Sequence, residues 1–499
     1  MKRISIDPIT RLEGHGKIEI FLDEQGNVAN AYFQVPELRG FEAFCVGRMA
    51  EDMPNITNRI CGVCPEAHHL ASTKALDQLF GLTPPPAARK LRELLYMAFF
   101  VTDHTTHFYA LGGPDFIIGP DAPSTERNIL GVIRKVGLDI GKQVIACRAR
   151  NHAVIKKLGG RAIHPAAGLP GGWSQPLSEA GRKEIEQAAR ENIDFALFTL
   201  KIFHDIVLKN PAYLELVTSD LYLHRTYYMG TVDPVDRVNF YDGMIRVVDP
   251  EGEEFVKYTP ADYYQHLAER VEPWTYLKFP YLKKVGWQGL TDGAKSGLYV
   301  ASPLSRLNVA DGMATPKAQE HYEELFATFA PGYTTKGRRK PIHHRLATHW
   351  ARLIELLYAA EHMLALATDP EITSPEVRLI SSGVKNREGV GSVEAPRGTL
   401  THHYTTDANG VLTKVNMIVG TTNNYGPMAM SIKRAAEKLI QGGKIIEKGL
   451  LNRVEMAFRL YDPCLSCATH ALPGEGPMEV VIRDANGLVV RTITRGRQP

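Results

Sequence analysis

Two Cys-x-x-Cys pairs stand at opposite ends of the chain, "RICGVC" at 59–64 and "DPCLSC" at 462–467, and they use four of only six cysteines in 499 residues. Thiols spaced by two residues can converge on one ion, and if both pairs serve the same ion the fold must return its last segment to its first. Four thiolates could hold zinc tetrahedrally, yet structural zinc motifs close loops of roughly a few tens of residues, not a whole chain. Soft thiolates suit nickel and iron as well, and on spacing alone these metals stay open. Cys45 and Cys147 lie in apolar helical patterns and read as small buried hydrophobes. They are too few to ligate a four-cysteine iron–sulfur cluster besides, so electrons leaving such a site need a partner to carry them.

With 58 basic and 55 acidic residues the formal charge is +3, which gives no footprint for nucleic acid. The start, "MKRISIDPITRLEGHG", has no apolar core, and no apolar run is long enough to span a bilayer. A cytoplasmic location is expected, where paired thiols point to metal or redox chemistry before a disulfide.

The first 35 residues alternate around Gly26–Asn27 and predict a β-hairpin. Residues 65–81, 86–110, 126–158, 175–208 and 346–368 carry apolar residues at i, i+3, i+4 and i+7, and two more helices are expected at about 427–441 and 444–461. Short strands are expected at "DGMIRVVDP", "SGLYVAS", "EVRLISS", "GTLTHHYTTD" and "LTKVNMIVG", and a terminal hairpin in "MEVVIRDANGLVVRTITRGRQP". The fold class is α+β, mainly α: a long-helix bundle core over about 41–210 and 346–461, with peripheral short β-sheets and an irregular layer at about 211–345. Residues 1–470 form one large unit, and 471–499 are an extension. Glycines at "GLPGG" (168–172) lack the strand-then-helix context of a dinucleotide site.

The two cysteine motifs, with His68 four residues after Cys64 and His470 three after Cys467, resemble the two ends of the large, catalytic subunit of the nickel–iron (NiFe) hydrogenases. The resemblance continues through "RLEGHG", "LRGFE", "DHTTHFY", "GGRAIHP" and "APRGTLTHH" and covers essentially the whole chain. It implies a Ni–Fe centre in which Cys61 and Cys464 are terminal nickel ligands and Cys64 and Cys467 bridge to an iron carrying carbon monoxide and cyanide. Heterolytic H2 cleavage needs a base beside the metals, and the resemblance gives that role to the Cys464 thiolate, with Glu13 relaying the proton onward. It further implies that Arg397 lies over the open metal position, paired with Asp103 and Asp462, and that His68 donates a hydrogen bond to a bridging cysteine. Glu42 and His470 resemble ligands of a distant magnesium or second iron ion.

The implied partners are an iron–sulfur small subunit, an acceptor module of the NAD, deazaflavin or heterodisulfide-reductase type, nickel-insertion proteins and a maturation endopeptidase. "DPCLSCATHAL" and "IVGTTNNYGPM" resemble the cytoplasmic multimeric group. Relatives of this kind end at the counterpart of His470, so the sequence reads as a precursor whose 471–499 tail, while uncut, holds the final segment away from Glu42. Taken singly, a Glu or an Arg in such positions is a solvated or surface charge. His69, His343, His344 and His403 carry no assigned chemistry, His104 and His107 read as packing within a helix, and "ADYYQH" as core or interface. Two other function classes compete: a respiratory-complex component that turned the cavity into a quinone pocket, against which all four cysteines argue, and a zinc or thiol-redox protein.

Overall fold

The computed structural model describes residues 2–329, 340–442, 448–471, 478–483 and 488–495. Strands β1 (Lys2–Ile6), β2 (Lys17–Leu22) and β3 (Val28–Gln34) form one antiparallel sheet in that order. The expected hairpin is β2–β3. The correction is β1, paired with β2 from Lys2↔Leu22 to Ile6↔Ile18, because Ile4 and Ile6 also alternate and pack on the core. The β1–β2 connection, residues 7–16, carries Glu13 inward.

Helices α1 (Pro65–Phe80) and α2 (Pro86–Thr106) both start on proline, where a missing N–H costs nothing. α1 stops at Gly81, whose φ of +63° closes the last turn. The α-helix expected to residue 110 widens to a π turn at His107–Gly112. There a Cβ on Gly112 would come within 2.6 Å of the His349 ring and 2.7 Å of the His107 ring. The run expected as one helix over 126–158 is two, α3 (Ile129–Val136) and α4 (Leu138–Gly159), broken at Gly137 with φ +99°. α5 (Glu179–Phe203) is capped by the Ser178 hydroxyl accepting from Gly181 N, and its end, too, runs into a π turn, His204–Leu208.

The layer expected to be irregular is more ordered. Strands β4 (Tyr227–Val232), β5 (Met244–Val248) and β6 (Glu254–Tyr258) are antiparallel; β7 (Leu267–Arg270) pairs with β8 (Phe279–Leu282), and β9 (Tyr299–Val300) lies parallel to β4. Tyr227, Met229, Ile245, Val247, Tyr258 and Tyr299 give this sheet its own small core, which is how short, Tyr-rich strands hold together. Helices α6 (Pro303–Val309) and α7 (Pro316–Phe329) follow.

α8 (Thr348–Thr368) is buried on nearly every face, and with α2, α4 and α5 it makes the central bundle. A further three-stranded sheet comprises β10 (Glu388–Ala395), β11 (Gly398–Thr406) and β12 (Leu412–Ile418). β10 lies outside the expected strands, and "EVRLISS", expected as a strand, forms none: β10 is glycine-interrupted and fails a side-chain pattern test. Gly389 and Gly391 are what let α1 lie directly on it, since a Cβ at either would run into the Ala75 or Ala71 carbonyl oxygen. α9 (Tyr425–Leu439) packs on β3 and on α10 (Lys448–Arg459). The terminal hairpin is present as β13 (Met478–Arg483) and β14 (Val489–Arg495); its expected Asn-Gly turn lies outside the described residues. Among the described residues no helix is long and apolar enough to cross a membrane.

Candidate metal centre

The fold brings the two cysteine pairs together. All four sulfurs lie within 4.8 Å of one another, with Cys61–Cys464 at 3.2 Å, Cys64–Cys467 at 3.2 Å and Cys464–Cys467 at 3.0 Å. These separations are well beyond the roughly 2.05 Å of a disulfide, so the set is four free thiols at one point, all buried. Hydrogen bonds from the Cys464, Cys467 and Cys64 sulfurs drive the Cys61 thiol well below its ordinary range. Burial drives Cys464 and Cys467 well above theirs. The Cys464 and Cys467 sulfurs pull the Cys64 thiol down, but contact with Cys61, burial and the charge on Cys61 outweigh them and leave it pushed up to about 11. Loading an ion must expel whatever protons these sulfurs hold.

The backbone explains how the ends meet. Glu13 and Cys464 form a parallel bridge, with Glu13 N donating to Pro463 O at 3.3 Å and Leu465 N to Glu13 O at 2.9 Å. The next residue must be Gly14: its φ is +86°, and a Cβ would meet Leu465 Cβ at 2.8 Å and Ser466 N at 2.9 Å. The result sets Glu13 Oε2 3.0 Å from Cys464 Sγ, where it also accepts from Ser466 N at 3.1 Å. On the other side of the pair, Asp462 sits at φ +56°, a costly conformation for a non-glycine residue of the kind that clusters at functional sites.

Arg397 lies at the β10–β11 turn. Its guanidinium touches Asp103 Oδ2 at 3.0 Å and Asp462 Oδ2 at 2.9 Å, with all three groups buried. Burial raises the Asp103 carboxyl to about 6 against the opposing pull of Arg397, and Asp462 adds to the rise. Arg397 Nε and Asp103 Oδ1 have no hydrogen-bond partner among the described residues, so the cluster keeps a donor and an acceptor unspent beside the thiols. Sequence reasoning missed the residues that fix this loop: Arg306 and Arg352 donate to Pro396 O at 3.3 and 3.4 Å, and Glu355 holds Arg306 through two oxygens at 2.6 and 2.7 Å. A signal was present, since Arg352 and Glu355 are charges in a helix that is otherwise largely apolar.

His68 is buried in α1, one turn beyond its cap Cys64; its Nδ1 faces His402 Nε2 at 3.1 Å, and its Nε2 has no partner among the described residues. His470 Nε2 is 2.6 Å from Met417 O and 3.6 Å from Glu42 Oε1, while Lys278 Nζ is 4.0 Å from Glu42 Oε2. His470 is seated there with the chain continuous into buried Ala471, so the expectation that an uncut tail holds this segment away is corrected. Two backbone bonds explain it: Arg39 N donates to Thr469 O at 3.0 Å and Glu42 N to His470 O at 3.2 Å. His69 proves structural, bonded to Pro54 O and accepting from Gly168 N. His104 and His107 are buried against Glu355 and the Arg459 carbonyl.

Known proteins resemble this chain along most of its length. The family profile described as "Nickel-dependent hydrogenase" matches residues 39–126 and 294–470, and one described as "HoxL-like" matches 3–38. The chain is 50% identical over 493 residues, 99% of each chain, to an F420-non-reducing hydrogenase protein of Archaeoglobus profundus. It is 37% identical, over 98% of this chain and 99% of the other, to the beta chain of the NAD-reducing hydrogenase HoxS of Cupriavidus necator. Among solved structures, an NAD+-reducing NiFe hydrogenase in the H2-reduced state superposes with a TM-score of 0.86 at 35% identity, covering 94% of this chain and 100% of that one.

Proposed function

Given that the chain belongs to the nickel-dependent hydrogenase family, as an oxidoreductase large subunit, we propose that Cys61, Cys64, Cys464 and Cys467 hold its Ni–Fe centre and that the residues around them move the protons of H2 cleavage. The observation that carries this reading is the single meeting point of four buried sulfurs with a carboxylate 3.0 Å from one of them. The donor set fits the group: soft thiolates suit nickel and iron, two of them can bridge, and burial excludes water. When bound, the centre, with carbon monoxide and cyanide on its iron, supplies the open position at which H2 is polarised and split.

The rest falls to the protein. Cys464 Sγ receives the proton, and Glu13 Oε2 takes it from that sulfur along the contact at 3.0 Å. Arg397 is a fixed positive charge, held by Asp103 and Asp462 so that its guanidinium cannot swing away. Glu42 Oε1, His470 Nε2 and Met417 O converge as a site for magnesium or iron, a mixed donor set that ties the segment after Cys467 to β12. The electrons leave to an iron–sulfur small subunit, since this chain has no cysteines for a cluster of its own. The names of its relatives, subunits of F420-non-reducing and NAD-reducing hydrogenases, favour a multisubunit complex whose acceptor is set by further subunits, and a cytoplasmic location and an NAD or heterodisulfide-reductase module stay part of this reading. Removal of 471–499 by an endopeptidase after nickel insertion remains part of the reading, as a processing step that the seating of His470 does not require.

The test is the infrared spectrum of the complex purified with its partners, in the region where iron-bound carbon monoxide and cyanide absorb, beside nickel and iron analysis. Carbonyl and cyanide bands with about one nickel per chain, lost in Cys64→Ser, are expected. Zinc alone, without such bands, overturns the reading.

A further inference from the structure

Ser466, between the last two cysteines, touches two carboxylates at once. Its backbone amide donates to Glu13 Oε2 at 3.1 Å and its hydroxyl donates to Glu37 Oε2 at 3.4 Å, so the two carboxyls stand one serine side chain apart. The other oxygen of Glu37, Oε1, is hydrogen-bonded to His15 Nδ1. From the buried Cys464 sulfur, polar groups therefore follow one another as Glu13, Ser466, Glu37 and His15, and the last two open outward: the Glu37 side chain is 19% exposed and that of His15 77%.

The backbone accounts for each member. Glu13 and His15 flank Gly14, whose φ of +86° turns the chain so that one side chain faces the thiols and the other faces out. Glu37 follows β3 in a stretch laid against the second cysteine motif, where Arg39 N donates to Thr469 O at 3.0 Å and Arg39 Nη1 to Ser466 O at 3.1 Å. That stretch carries Glu37 to the serine hydroxyl. Stability does not explain the outer pair, because an ion pair whose outer partner lies in water contributes little.

We propose that Ser466, Glu37 and His15 carry the proton of H2 cleavage from Glu13 to the surface, with His15 as the group that releases it. The proposal rests on the reading of Glu13 as the relay from Cys464. At each step one proton enters as another leaves. The Ser466 hydroxyl turns, takes the proton of the Glu13 carboxyl on Oγ and gives its own to Glu37, so no charged serine forms. Glu37 passes its proton to His15 Nδ1, and the ring gives the proton on Nε2 to water, as an imidazole can near neutral pH. Exchange of the ring protons with water then restores the first tautomer.

The test is H2/D2O isotope exchange by the complex purified with its partners, in His15→Ala, Glu37→Gln and Ser466→Ala. Each variant is expected to keep nickel, iron and the carbonyl and cyanide bands, and to lose exchange at least about tenfold. Added imidazole, which can fill the space of the lost ring, is expected to restore exchange in His15→Ala but not in Glu37→Gln or Ser466→Ala, where the break lies further in. Exchange at the native rate in His15→Ala overturns the proposal and means that Glu13 gives its proton to water directly. A slow His15→Ala that imidazole leaves unchanged overturns it too, as a structural effect. His15 is exposed, so this variant decides even where Ser466→Ala fails to fold or to bind metal. Glu13→Gln separates the two readings: if it exchanges at the native rate, the Glu13 relay falls and this route with it, whereas a slow Glu13→Gln beside a native His15→Ala removes the route alone.

Discussion

At Asp103, burial and a neighbouring arginine act in opposite directions, and burial wins: the carboxyl stands at about 6 against 3.8 when exposed. A folded chain that holds this proton more tightly than the unfolded chain binds more protons between about pH 4 and 6, so stability is full below that window and falls as pH rises through it. Urea unfolding of metal-free Asp103→Asn should show that slope removed, a change of about 3 kcal/mol across the window; an unchanged slope would assign it elsewhere. Glu13 makes a different prediction, because among the described residues its side chain hydrogen-bonds the Cys464 sulfur and one backbone amide. Glu13→Gln keeps size and the amide contact but cannot carry a proton, so metal content and infrared bands should persist while turnover and H2/D2 isotope exchange with solvent fall by at least about a hundredfold; exchange at the native rate would sink the relay. The residues that bear these predictions were legible in the sequence through resemblance to motifs. Arg352, Glu355 and His402 were not, since a charge in an apolar helix or a histidine in a doublet announces burial without naming its partner.

Elements were legible where period and length agreed. α1, α5, α8 and α9 lie within a few residues of their expected spans, because each offers one continuous apolar stripe to the bundle. Three features defeated the pattern for physical reasons. Gly137 breaks the helix at φ +99° while the apolar period continues on both sides and hides the break. The π turn at His107–Gly112 shifts the helix face by less than a full residue. β10 owes its place to missing side chains, with Gly389 and Gly391 admitting the backbone of α1. That last point is testable at its own scale: Gly391→Ala forces α1 off the sheet and should lower stability by about 2 kcal/mol or more, with loss of bound metal, because α1 carries the cap Cys64 and the ring of His68. A variant with native midpoint and native nickel would show that α1 tolerates a shift there.

The whole molecule is a loop of about 400 residues closed on one cluster of thiols, which the cysteine spacing allowed and the resemblance implied. Which surface meets a partner did not, because exposure belongs to the fold. Leu38, Phe44, Val46, Met49 and Val63 are each between 39% and 52% exposed, all in the short stretch that leads into and through the first cysteine motif. An isolated exposed leucine means little, but five large apolar side chains in 26 residues of chain exceed what a solvent-facing segment carries without use. On the proposed function an electron carrier must also approach the metals closely, and Val63 stands between Cys61 and Cys64 in the sequence. Phe44, packed under the Arg48 guanidinium at 4.5 Å, offers the aromatic-and-arginine pairing that anchors interfaces. Replacing Phe44 and Val46 together by aspartate removes apolar area from no core and touches no thiol, so the chain should keep its unfolding midpoint while its affinity for the co-expressed iron–sulfur partner falls at least about thirtyfold, as loss of a central anchor predicts. Pull-down and sedimentation of the variant beside the unaltered chain decide it. Equal affinity would move the electron exit to another face, and with it the distance over which electrons must leave the buried centre.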